Sequence, residues 1–127
     1  MARTRQQAGR YAKAVGDAFE SWLDGQHARA KRLGMLAHIH HNEPKTRMHK
    51  GVLFYDKKSV ADYSGTLEGG RSLAEEVKSW GSSDNFPRSQ VDTLQAEHLQ
   101  TVLRAGGLAL LIIEFRLPFV QHFAAFD

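Results

Sequence analysis

The sequence predicts an α/β domain in which a mixed β-sheet is flanked by helices. Three observations carry that reading. Two long stretches place apolar residues at helical spacing, a Glu-Gly-Gly turn separates two β-prone arms, and the run from Leu108 to Phe115 is apolar on both alternating faces until Glu114. The 127 residues are enough for one core, so a single domain, 1–127, is expected. Hydrophobic residues make up 42% and charged residues 24%, which argues against a disordered or fibrous chain.

The first helix is predicted from about Arg10 to Leu33, with Tyr11, Val15, Ala18, Phe19 and Trp22 wrapping onto one face. Residues 1–9 precede it with little apolar content, and Arg3, Arg5 and Arg10 read as a frayed basic arm able to lie along a phosphate backbone. Met35 to His41 alternates like a strand, with Leu36, His38 and His40 on one side and Ala37, Ile39 and His41 on the other. Residues 43–61 leave that pattern at Pro44 and carry Lys45, Arg47, Lys50, Lys57 and Lys58 around the β-prone Val52 to Tyr55, so they read as an exposed, basic excursion.

Asp62 to Leu67 and Arg71 to Lys78 flank Glu68-Gly69-Gly70 and should form an antiparallel hairpin. Residues 81–88, polar apart from Phe86 and containing Pro87, read as a loop. A second helix is expected from about Gln90 to Ala105, with Val91, Leu94, Leu99, Val102 and Leu103 as its stripe. Ser89 with Asp92 resembles a capping box, and Gly106 suits the left-handed position beyond the end. Leu108 to Phe115 then forms a central strand covered on both sides.

Charge is unevenly spread. Residues 1–58 hold twelve Lys and Arg against five Asp and Glu, a balance of +7, whereas 59–127 hold five against nine, a balance of −4. A basic half beside clustered carboxylates suits a nuclease, which must attract phosphates with one surface and hold metal ions with another. The longest apolar run is far short of the roughly 20 residues that span a membrane. The first twenty residues have no apolar h-region, so neither a membrane anchor nor a secretory leader is expected. The absence of cysteine excludes disulfides, Cys-based zinc sites and thiol nucleophiles, and favours a cytoplasmic setting.

In an extended strand Glu76 and Lys78 project from one face while Glu75 and Val77 project from the other, so Glu-x-Lys is a geometric unit. Asp62, on the partner arm of the hairpin, can come alongside Glu76. Two such carboxylates would hold one or two divalent cations through hard oxygen ligands, with Lys78 orienting water or stabilising the transition state. His38, His40 and His41 lack an acidic or Cys partner at a recognised spacing, so no zinc site is expected there. Trp80 and Phe86 are able to stack on an unpaired base or to pack on their own domain.

Asp62-Tyr63-Ser64-Gly65, then Leu73-Ala74-Glu75-Glu76-Val77-Lys78, then Leu94-Gln95-Ala96-Glu97-His98-Leu99, then Gly106-Gly107-Leu108 into Ile112-Ile113-Glu114-Phe115, follow Gly16-Asp17-Ala18-Phe19-Glu20 on the first helix. Over residues 16 to 115 this series resembles the RecU-type Holliday junction resolvases of the PD-(D/E)xK nuclease superfamily. The resemblance implies a restriction-endonuclease-like core. It implies that Asp62, Glu76 and the backbone carbonyl of Val77 hold the metal, Mg2+ with Mn2+ as substitute, and that Lys78 is the catalytic cation. Gln95 matches a glutamine on the family's following helix, and Glu20 would be a ligand or a carboxylate one step removed. Residues 43–61 would form the stalk that reaches into the junction centre. The substrate would be four-way junction DNA, cut by paired symmetric nicks, and two cuts by a one-site domain require a homodimer. Ala74-Glu75 and Ser79-Trp80 depart from the usual neighbours of this motif, which points to a phage-type or archaeal-type relative. A general PD-(D/E)xK restriction-like or repair nuclease, and a DNA-binding module without catalysis, are the alternatives.

Overall fold

The computed structural model describes residues 4–42, 46–55, 61–81, 85–117 and 120–126. Helix α1 (Arg5–Arg32) leads into strand β1 (Leu36–His41), a hairpin of β2 (Thr46–His49) and β3 (Val52–Tyr55), then β4 (Tyr63–Leu67) and β5 (Ser72–Trp80). Helix α2 (Thr93–Arg104) follows, then β6 (Leu108–Leu117) and β7 (Val120–Phe126). The main sheet has the order β1-β4-β5-β6-β7, and all its pairings are antiparallel except β5 with β6. It is therefore the mixed α/β sheet that the sequence predicts, with β7 as a strand the periodicity did not reveal.

α1 begins earlier than its apolar stripe. Thr4 accepts from the Gln7 amide at 3.1 Å while the Gln7 side chain accepts from the Thr4 amide at 2.9 Å, a reciprocal cap that extends the helix back to Arg5. Arg5 to Arg10 are thus helical rather than a frayed arm, and Arg3 lies outside the described residues. The buried face is also rotated. Phe19, Leu23 and His27, one turn apart, point into the core, whereas Trp22 is 37% exposed and stacks on Phe19. His27 belongs to that face because it has a buried polar partner, Glu75.

Leu36 is buried although strict alternation would place it with the exposed His38 and His40. A bulge between Leu36 and His38 breaks the alternation and lets Leu36 turn inward. Opposite it, Gly65 passes so close to β1 that a Cβ there would lie 2.2 Å from the His38 carbonyl oxygen. That atom is backbone and cannot step aside. Gly65→Ala is expected to cost about 2–4 kcal/mol of stability by prising β1 from β4, measurable as a shifted urea midpoint at unchanged slope.

Among the described residues β2 and β3 pair only with each other, through a turn in which Lys50 (φ 50°) and Gly51 (φ 77°) are both left-handed, as a tight hairpin requires. Glu68-Gly69-Gly70 closes the β4–β5 hairpin as expected, both glycines at φ 95°. α2 starts later than its stripe: Asp92 is itself the N-cap, accepting from the Leu94 amide at 2.8 Å, and Arg88–Gln90 form a separate 3-10 turn.

α1 packs one face of the sheet through Phe19, Leu23, Tyr63 and Ile112, with Ile39, Val77 and Leu110 around them. α2 packs the other face over β5 and β6, and Gln95 is its one buried residue. β4 meets β5 only from Tyr63–Glu75 to Thr66–Ser72, so β5 from Glu76 onward runs past β4 with β6 on its other side. The widening between Asp62 and the second half of β5 is where the chemistry-bearing side chains gather.

Candidate active site

Asp62 stands at the entry to β4, and its Oδ2 accepts from the Val77 amide at 2.9 Å. That bond ties the carboxylate to β5 between Glu76 and Lys78. Glu76 is 1% exposed, and its carboxyl group lies within hydrogen-bonding reach of Asp62. The Lys78 ammonium sits 3.4 Å from Glu76 Oε1 and donates to Gln95 Oε1 at 3.3 Å. Strand alternation sends Glu76 and Lys78 to the face that α2 covers, and the parallel crossover brings Gln95 to the same place. Asp62, Glu76, Lys78 and Gln95 are thus one contiguous group.

Burial holds the Glu76 carboxyl far above the usual carboxylate range, at about 8, and the neighbouring Asp62 adds to the shift while Lys78 opposes it. Its Oε2 is buried with no hydrogen-bond partner among the described residues. An orphaned carboxylate oxygen beside a second carboxylate matches what a hard divalent cation requires: oxygen donors and compensation for buried negative charge.

The pH dependence follows from the sign of that shift. A carboxyl group whose folded pKa is raised contributes stability that is full below the unfolded pKa and lost as pH rises through the folded one. In chelator, the melting temperature of the wild type is therefore expected to fall relative to Glu76→Gln between about pH 5 and about pH 8. Adding Mn2+ should restore it. Scanning fluorimetry of both proteins across that range measures the difference.

Glu20 lies on the exposed side of α1, where its charge, after burial and Asp24, helps push the Tyr63 hydroxyl up to about 12. Among the described residues no group of three or more His, Asp or Glu side chains is close enough to hold a metal ion, so Glu20 does not join Asp62 and Glu76 in a three-carboxylate group. Val77 gives its amide N–H to Asp62 while its side chain packs against the core. Of the basic residues, Arg5 and Arg10 are exposed on α1, Lys50 is exposed at the hairpin turn and Arg47 lies on β2. Lys45, Lys57 and Lys58 lie outside the described residues.

The histidines separate. His38 and His40 stack on each other, with ring centres 5.4 Å apart, while His41 stacks on Tyr63 at 4.8 Å on the α1 side of the sheet. Trp80 meets Phe86 edge-on at 5.6 Å, so these two rings pack on one another. Two features escape sequence reasoning. His27 Nε2 is 2.6 Å from Glu75 Oε1, a buried bond between residues 48 positions apart, and Ser79, Glu114 and Arg116 join across β5 and β6. The only hint of the second was a carboxylate closing an apolar run.

An α/β protein with this arrangement falls in the class of recombination proteins: the family model describing recombination protein U matches residues 15–123. The chain belongs to that family, RecU, a family of Holliday junction resolvases. No curated protein matches it. No helix among the described residues is long and apolar enough to cross a membrane.

Proposed function

We propose that this protein is a metal-dependent endonuclease that resolves four-way DNA junctions by paired symmetric nicks, working as a homodimer on a restriction-endonuclease-like core. One observation carries the reading: Glu76 and Lys78 share a strand face with Asp62 drawn against them, and Glu76 keeps one buried oxygen unpartnered among the described residues. Membership of a resolvase family supports the substrate.

Asp62, Glu76 and the Val77 carbonyl would hold Mg2+, or Mn2+ in its place. When bound, the cation neutralises the scissile phosphate and lowers the pKa of the attacking water. Lys78 places positive charge where the phosphorane charge develops, and Gln95 fixes the ammonium in that position. Asp62 holds the Val77 amide and so fixes the spacing of its own carboxylate from Glu76. The excursion 43–61 acts as a stalk whose cations meet phosphates where the arms of the junction converge. Each domain has one site, so two symmetric nicks need a twofold pair.

Cleavage of a four-way junction, a flap and a linear duplex, side by side in Mg2+, Mn2+ and Ca2+, tests the reading. The expected result is paired nicking of the junction in Mg2+ and Mn2+, with binding alone in Ca2+. Equal cleavage of all three DNAs would make the protein a general PD-(D/E)xK nuclease, and no nicking under any condition would make it a DNA-binding module. The stalk has its own test. Neutralising Lys45, Arg47 and Lys50 together should weaken junction binding more than duplex binding. Purely non-specific contacts would lower both alike and flatten the salt dependence by about one unit per lost phosphate contact.

A further inference from the structure

β5 and β6 are parallel and joined through α2, and ligands of such units gather beyond the carboxyl ends of the strands. At those ends stands a network that the cleavage chemistry above does not use. The Glu114 side chain on β6 is 1% exposed, and Ser79 on β5 lies opposite it in register. The Ser79 hydroxyl donates to Glu114 Oε1 at 2.9 Å. Arg116, the next residue on the same face of β6, reaches back over the pair: its Nε donates to Ser79 Oγ at 2.9 Å and stands 3.6 Å from Glu114 Oε1.

The guanidinium lies beside Gly81, where a Cβ would stand at ordinary contact distance, 3.4 Å, from both Cζ and Nη2 of Arg116. The guanidinium is thereby anchored along its Nε edge, by Ser79 and the Glu114 carboxylate. Among the described residues no hydrogen bond takes its Nη groups, and the side chain remains 32% exposed.

A carboxylate buried as deeply as Glu114 is costly, and an apolar residue continuing Ile112-Ile113 would fill the same space without that penalty. What the carboxylate achieves is an arginine held at its Nε, whose outer N–H groups make no hydrogen bond among the described residues. An arginine held in this way suits the oxygens of a phosphate. We propose that Arg116 grips a backbone phosphate of the bound DNA, with Glu114 and Ser79 as its positioning residues. Arg116 and Lys78 lie on opposite faces of the sheet, so the phosphate met by Arg116 is a neighbour of the scissile one on a strand passing over the ends of β5 and β6. This rests on the reading of DNA as the substrate and adds a contact to it.

Fluorescence anisotropy with a labelled linear duplex and a labelled four-way junction, in Ca2+ over a range of salt, tests it. Arg116→Gln, which leaves Glu114 a hydrogen-bond donor, should bind both DNAs about tenfold more weakly and lower the salt slope by about one unit. Arg116→Lys should recover the slope but not the full affinity, because an ammonium makes a point contact. Glu114→Gln gives the sharper sign. Removing a negative charge near DNA would by itself tighten binding, whereas release of a positioned arginine should weaken it severalfold. Wild-type affinity and slope in Arg116→Gln, or tighter binding by Glu114→Gln, would overturn the inference. Should Arg116→Gln melt below the assay temperature, the double variant with Glu114→Gln, which removes both charges, must show the same loss of slope. Nicking by the wild type in Mg2+ is assayed separately, so a protein that binds but never cuts would refute the nuclease reading while the slopes still decide the role of Arg116.

Discussion

Glu76→Gln and Asp62→Asn should each reduce junction cleavage to below about a thousandth of the wild-type rate while leaving the protein folded and the junction bound. Either change removes one of the two carboxylates that meet beside Val77 without opening a cavity. For Glu76→Gln the fold should gain slightly at neutral pH. The amide needs no proton, so the cost of protonating on folding a carboxyl that is ionised in the unfolded chain disappears. Binding should be unchanged or tighter, because each substitution removes negative charge near phosphate. Single-turnover cleavage in Mg2+, with junction affinity in Ca2+ and a thermal melt alongside, measures all three quantities. Near-wild-type cleavage by both variants would show that these carboxylates do not hold the metal.

Much of the site was legible because it depends on strand parity and hairpin arithmetic. Alternation alone separates Glu76 and Lys78 from Glu75 and Val77, and the Glu68-Gly69-Gly70 turn brings Asp62 back beside β5. What stayed hidden depends on polar partners distant in sequence. His27 does not register as part of an apolar stripe, yet it takes the place one turn after Leu23 because Glu75 satisfies it. The same effect disguised the end of β6. Glu114 reads as the close of an apolar run ending at Phe115, but it pairs on one face with Ser79 and Arg116, so the strand continues to Leu117 and β7 can be added beyond it. Helix ends erred for local reasons: Thr4 with Gln7 lengthened α1, and Asp92 shortened α2 by capping it directly. The bulge at Leu36 and the close approach at Gly65 are backbone events with no periodic signature.

Lys78→Ala should lower the cleavage rate a hundredfold to a thousandfold while changing junction affinity by less than about threefold. The ammonium touches Glu76 and Gln95 in the resting protein, and its side chain is only 25% exposed, so it offers little to a duplex that merely docks. Its charge counts when negative charge builds on the phosphorane oxygens, which is a transition-state interaction and acts on the rate. Removing it also removes the one influence that lowers the Glu76 pKa. The variant should therefore need higher Mn2+ or higher pH to reach its own maximal rate. Rate measured as a function of Mn2+ at two pH values separates the two effects: saturating metal should recover the part due to Glu76 and leave the transition-state part missing. Gln95→Ala, which frees the ammonium without removing it, should give a smaller loss in the same direction. If affinity for the junction falls as far as the rate does, Lys78 holds DNA in the ground state and the developing charge is met by another group.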